Sequence, residues 1–179
     1  MKRGEFMVEL KGYHGTLDEK ANKILNDKFI HSTKDSEWLG FGVYFFTVEK
    51  YARWWASMEA NKKQNYGSSP VVLAADILTE EALFWDLDLQ KNMLKMQEEL
   101  RSVLGTLCSK GEAKLSEAQL RCACCNFFAK KYKIKVFAYT FPSIITNELG
   151  FPYTRKQRQL CVRDDKCITN LHKCRKGEI

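Results

Sequence analysis

The amino-acid sequence predicts an α+β fold in which helices pack on a mixed β-sheet. Two observations carry that expectation. Apolar periodicity switches repeatedly between about two and about 3.6 residues along the chain. The resulting order is strand, helix, strand, helix, strand, two helices, then strands, which suits helices layered on a sheet. A third observation narrows the class. No G-x-G-x-x-G follows a strand, so the sequence does not support a doubly wound dinucleotide fold.

Met7 to Tyr13 alternates as a strand. A helix is expected to open at Leu17-Asp18-Glu19, with Thr16 as N-cap and Glu19 three residues on, and with Ala21, Ile24, Leu25 and Phe29 on one face. The polar loop Ser32 to Glu37 leads to a second strand around Gly42 to Phe46. Thr47 reads as the next N-cap, before a helix over Val48 to Lys63 with Tyr51, Ala52, Trp55 and Met58 on one side. After the turn Tyr66 to Pro70, Val71 to Ile77 reads as a strand buried on both faces. Leu89, Met93, Met96, Leu100, Val103 and Leu107 form a short heptad stripe. That stripe is the signature of core packing more often than of a docking face. Leu115 to Tyr132 makes a second helix, so residues 86–133 read as a helical insertion. Lys135 to Phe141 returns as a strand, Pro142 to Pro152 reads as a loop, and Gln159 to Val162 is the next strand, with Lys166 to Ile168 continuing or following it.

With 179 residues, 45% of them hydrophobic and 28% charged, the chain reads as one globular domain over 1–179. The basic start is interrupted by Glu5, Glu9 and Lys11, unlike a signal peptide, and no run approaches the roughly 18 apolar residues that span a bilayer. No membrane partner and a cytoplasmic location are expected. Seven cysteines, with Cys124 and Cys125 adjacent, make a poor disulfide framework and fit reduced, buried thiols. Cys122, Cys125, His172 and Cys174 are a conceivable zinc set, but the CxxC sits in a helical stretch instead of on a turn, so no metal is expected. The net charge is +7, and its densest part is Arg155 to Lys176. Such a patch either attracts polyanions or serves as a solvated basic surface.

Two glycine-marked segments stand out: Tyr13-His14-Gly15-Thr16 and Trp38-Leu39-Gly40-Phe41-Gly42-Val43-Tyr44-Phe45-Phe46. Each sets a polar ring beside a small backbone, which suits a pocket for a flat, amide-bearing ring such as nicotinamide. Taken with the Ala52-Arg53-Trp54-Trp55-Ala56 helix, the pair resembles the ADP-ribosyltransferase superfamily of the poly(ADP-ribose)-polymerase or diphtheria-toxin type, and more closely its small bacterial toxin-like members. The resemblance covers residues 6 to 77, extends plausibly to Gln159–Ile168, and is absent from the middle helices.

The resemblance implies a split mixed or antiparallel sheet with flanking helices, and NAD as a co-substrate. It implies that His14 hydrogen-bonds the adenosine-side ribose, that the Gly15 backbone pairs with the nicotinamide carboxamide, and that Tyr44 stacks on the nicotinamide ring. Gly40 and Gly42 would let the backbone run close to the ligand, and Thr16 and Tyr51 complete the NAD-binding set. Each residue also has a plain reading: Tyr44 as core, His14 as a cap.

At the third element the chain departs from the family. Members usually carry a glutamate early in a late strand, and here Gln159 holds that place. An amide accepts a ribose hydroxyl but carries no charge to stabilise an oxocarbenium and is no general base. Gln159 therefore positions the ribose for a single transfer, or Glu148 in the preceding loop supplies the carboxylate, or the pocket binds NAD or ADP-ribose without turnover. The expected activity is mono-ADP-ribosyl transfer, as a toxin or effector with a possible antitoxin partner. The expected acceptor is RNA or DNA, held through Arg155, Lys156 and Arg158 beside an aromatic loop. A protein side chain is the main rival, a small molecule is third, and a nucleic-acid-binding module without catalysis is the alternative. Removal of an RNA 2′-phosphate with NAD fits poorly, because three histidines cannot provide dense phosphate ligands.

Overall fold

The computed structural model describes residues 6–109, 116–146 and 149–175, and side chains within that range except 102–109. Strand β1 (Met7–Leu17) leads to helix α1 (Asp18–Asn26), β2 (Val43–Phe46), α2 (Glu49–Ala60), β3 (Pro70–Glu80) and β4 (Phe84–Asp86). Two helices follow, α3 (Gln90–Ser109) and α4 (Glu117–Tyr132), then β5 (Val136–Thr146), β6 (Pro152–Val162) and β7 (Ile168–Lys173). The expected α+β class and the helical middle of the chain are both present.

The seven strands form one mixed sheet in the order β4-β5-β6-β2-β1-β3-β7. β4 and β5 run parallel and the other neighbours antiparallel. β1 pairs with β3 from Met7↔Glu80 to Leu17↔Pro70, and β5 pairs with β6 from Val136↔Val162 to Thr146↔Pro152. Between β1 and β2 the register has one pair among the described residues, Tyr13↔Phe46. The sheet is therefore two well-paired halves, β4-β5-β6-β2 and β1-β3-β7, meeting at a narrow seam.

Side chains alternate across a strand, and paired residues share a face. On one face, Leu73, Ala75, Ile77, Phe45, Val43, Leu160, Val162, Val136 and Ala138 pack with Ala21 and Phe29. On the other, Phe137, Phe141 and Cys161 pack with Leu39, Met96, Leu100, Cys125 and Phe128 from the middle helices. Phe46 and Val72 pack with Ala52 on that second face. α2 thus covers one half of the sheet while α3 and α4 cover the other.

Several local expectations change. The N-cap of α1 is Leu17, not Thr16, and Thr16 is buried in β1. No side chain caps this helix; the Asp18 N–H donates to the Ser69 carbonyl instead. α2 is capped by Val48, not Thr47, because the Thr47 N–H is directed to the Arg158 carbonyl. α2 ends at Ala60, and its buried residues are Ala52 and Ala56, while Trp55 and Met58 are exposed. The reason is Gly15. A Cβ there would lie 2.1 Å from the Ala52 carbonyl oxygen, so β1 and the helix backbone touch directly and larger side chains turn outward.

The stretch Pro142 to Pro152 is not a loop but largely a two-stranded hairpin, with pairs from Pro142↔Lys156 to Thr146↔Pro152. Pro142 is tolerated because β4, which pairs with the start of β5, has ended at Asp86, leaving that side of β5 without a ladder. Residues 165–167 form a short turn of helix before β7 instead of a strand. Of the heptad stripe, Met93, Met96 and Leu100 pack into the core and Leu89 is exposed; Val103 and Leu107 lie outside the described side chains. Ser116 caps α4 through a reciprocal capping box with Gln119.

Candidate functional site

The seam is where the two sequence segments meet. His14 follows Tyr13, the β1 residue paired with Phe46 of β2, and its ring reaches across to the β2 backbone. Its Nδ1 lies 2.8 Å from the Tyr44 carbonyl oxygen. A carbonyl oxygen accepts only, so Nδ1 carries the proton and donates. The ring packs edge-on to Phe29 at 5.2 Å and tilted to Phe45 at 5.7 Å. Burial holds the imidazole below its ordinary pKa, against the opposing pull of the Tyr44 carbonyl. The neutral tautomer that results presents Nε2 as a lone-pair acceptor.

Tyr44 is differently placed. Its hydroxyl accepts from the Leu39 N–H at 2.8 Å and donates to the Gly40 carbonyl at 2.7 Å. Burial pushes the phenol pKa far up, so it stays neutral. The ring is half-buried against the cluster built by α3 and α4. Tyr44 therefore clamps the turn over residues 38–42. That turn has further fastenings. The Asn126 Oδ1 accepts from the Phe41 N–H at 2.8 Å and from the Arg163 guanidinium at 2.9 Å, and Arg163 also donates to the Phe41 carbonyl at 2.7 Å. Gly40 has φ +82°, and a Cβ on it would lie 2.6 Å from Asn126 Oδ1. A Cβ on Gly42 would lie 2.6 Å from the Val162 carbonyl oxygen. In the structure, these glycines and Gly15 are required by contacts within the protein.

Gln159 sits in β6 opposite Phe46 and Tyr139, half-buried. Through Phe46 it lies on the same cross-sheet row as Tyr13, next to the seam. By strand alternation Gln159 and Tyr44 share a face, while His14 projects from the other. The structure thus brings Tyr44 and Gln159 together and joins His14 to them through the β2 backbone. Tyr51 in α2 leans on Phe46, ring centroids 6.3 Å apart, on the Gln159 side. Glu148 lies outside the described residues.

The basic tail is largely engaged. Arg158 donates to both Asp86 oxygens, at 2.8 and 3.2 Å, and also pairs with Asp88. It ties β6 to the end of β4 and is not a free phosphate contact, which corrects its place in the expected acceptor set. Arg163 holds the 38–42 turn, and Lys173 pairs with Asp18 at 2.8 Å. Arg155 and Lys156 remain at the surface beside Tyr51 and Trp54. Cys122, Cys124, Cys125, Cys161 and Cys167 are reduced thiols, and burial pushes Cys125 and Cys161 up to about 12. Among the described residues no group of three or more His, Cys, Asp or Glu could hold a metal, and no helix is long and apolar enough to cross a membrane.

Sequence reasoning missed the residues that seat the turn: Asn126, Arg163 and Cys161, whose thiol donates to the Gly40 and Phe41 carbonyls. Cys122, Cys125 and Asn126 at helical spacing mark one buried face of α4 and were the available signal.

No family model matches the chain, and no solved structure matches it. It is 31% identical over 81 residues to "Uncharacterized protein MJ0359" of Methanocaldococcus jannaschii, a match that spans 45% of this chain and 38% of that protein.

Proposed function

We propose that the β1–β2 seam binds NAD and that the protein transfers ADP-ribose from it to a macromolecular acceptor, releasing nicotinamide. The observation that carries this reading is the His14 bridge. A neutral imidazole is fixed across the gap by the Tyr44 carbonyl, with its acceptor nitrogen left for a ribose hydroxyl. The resemblance of residues 6 to 77 to ADP-ribosyltransferases supplies the ligand.

In this reading the nicotinamide–ribose bond breaks with its electron pair leaving on nicotinamide. The positively charged ribose is then attacked by the acceptor, which loses a proton to water. Gln159 orients the ribose by accepting from a hydroxyl but takes no proton. Without a base, acceptors that are good nucleophiles while neutral, such as a nucleobase nitrogen, are favoured over alcohols, which attack more slowly and must shed a proton. RNA or DNA is accordingly the leading acceptor and a protein side chain the second. Gln159 in place of a carboxylate also favours a specific alternative, in which the seam binds NAD or ADP-ribose without turnover.

Thermal unfolding with millimolar NAD tests binding. A rise of a few degrees is expected, reduced in His14→Gln, and no rise overturns the reading. Labelled NAD in a cell extract tests transfer. Label released by nuclease supports a nucleic-acid acceptor, and label released by protease supports protein. NAD-dependent stabilisation without transferred label or free nicotinamide establishes binding alone. Gln159→Ala is expected to lower turnover and Gln159→Glu to raise it.

A further inference from the structure

We infer that a groove between α2 and the outer half of β6 binds single-stranded nucleic acid. Lys50, Tyr51 and Trp54 line one wall, and Tyr153, Arg155 and Lys156 line the other. On α2 the three residues fall at i, i+1 and i+4, one face of the helix. On β6, Tyr153 and Arg155 point to the same side as Gln159. The Arg155 guanidinium stacks 4.8 Å from the Trp54 ring centroid and 5.9 Å from that of Tyr51, and the Lys50 ammonium lies 5.3 Å from Tyr51. No carboxylate lines this groove among the described residues, whereas Arg158, next along β6, is neutralised by two.

Three cations and three half-exposed aromatic rings in one groove match a strand whose bases stack while its phosphates meet positive charge. A peptide partner of acidic character would satisfy the cations but leave the rings without planar partners. A duplex hides the faces of its bases from such rings. Arg155 is four residues from Gln159, about 13 Å along an extended strand. A nucleotide stacked in the groove thus lies one or two positions from the seam. Only the role of that strand as ADP-ribose acceptor rests on the NAD-transfer reading; the binding itself needs no NAD.

Fluorescence anisotropy with labelled oligo(dT) and oligo(U), on the full chain without NAD, is the test. Binding is expected to weaken with salt, with a log–log slope of about −2 for three phosphate contacts on a single strand. Lys50→Glu with Lys156→Glu is expected to abolish binding. Trp54→Ala is expected to weaken it about tenfold or more through lost stacking. The two probes separate DNA from RNA as the natural ligand. Binding that survives the double charge reversal, equal binding of an acidic peptide, or no binding at low salt overturns the inference. NAD stabilisation measured on the same variants should be unchanged, so failure of the groove and failure of the NAD seam are read separately.

Discussion

His14 and Tyr44 are coupled by one hydrogen bond, yet their surroundings differ. At His14 one ring nitrogen is fixed and the other is left as an acceptor, on a strand edge paired to β2 at Tyr13 and Phe46. At Tyr44 the hydroxyl is used twice, and the turn above it is held again by Asn126 and Arg163. The comparison separates two uses of glycine-rich sequence. The 38–42 turn is a rigid wall whose polar groups are satisfied from within. At the seam, where β1 and β2 share one register pair, the His14 ring keeps an unspent acceptor, and that capacity is what a ligand needs.

The largest test of this contrast is Gly15→Ala. Its methyl would meet the Ala52 carbonyl oxygen at 2.1 Å, and neither backbone can yield without moving α2 off the sheet. Destabilisation of about 3 kcal/mol or more is expected, read by denaturant unfolding. A neutral result would mean that α2 rests on β1 more loosely than this contact implies.

Tyr44→Phe comes next. It strips the Leu39 N–H and the Gly40 carbonyl of their shared partner, at about 2–3 kcal/mol. If the ring also stacks on nicotinamide, Tyr44→Phe keeps the NAD-induced rise in Tm while Tyr44→Leu loses it. Loss in both would move the role to the hydroxyl. Asn126→Leu removes the acceptor of the Phe41 N–H and should cost about 1–2 kcal/mol. Because both side chains hold the same turn, the double variant is expected to be non-additive by at least about 0.5 kcal/mol.

What was legible in the sequence follows the range of the interactions. β1 announces itself by alternation and β2 by its aromatic run after Gly42; the two strands meet at Tyr13↔Phe46, with the His14 ring bonded to the Tyr44 carbonyl. The turn's fastenings were not legible as such: helical spacing marks the Asn126 face of α4 as buried, but nothing local shows what Asn126 or Arg163, far along the chain, would hold. Arg158 looked like one cation among many until Asp86 and Asp88, some seventy residues earlier, closed on it. The hairpin over 142–152 was hidden by its two prolines: Pro142 is tolerated where β4 has stopped, and Pro152 because it opens β6, well short of the residues that pair with β2. Thr16 and Thr47 look like caps by residue type, but the extended strand and the Arg158 carbonyl claim them first.

The smallest expected effect is the pH dependence that His14 imposes, and it bears most directly on the seam. Burial lowers its folded pKa, so below the unfolded value of about 6.5 the unfolded chain binds a proton that the folded chain resists. Stability from this residue is therefore fully present above about pH 6.5 and falls as pH drops below it. The difference in Tm between the protein and His14→Gln, followed from pH 8 to pH 5, cancels the carboxylates common to both and should narrow on acidification. The folded ring keeps its Nε2 lone pair until pH falls through its lowered pKa, so the NAD-induced rise in Tm should persist through the first loss of stability and shrink only at more acid pH, once the folded ring itself takes a proton. If the NAD-induced rise at pH 8 is the same in His14→Gln as in the unsubstituted protein, His14 is a packed bridge of the sheet and the ligand is held elsewhere.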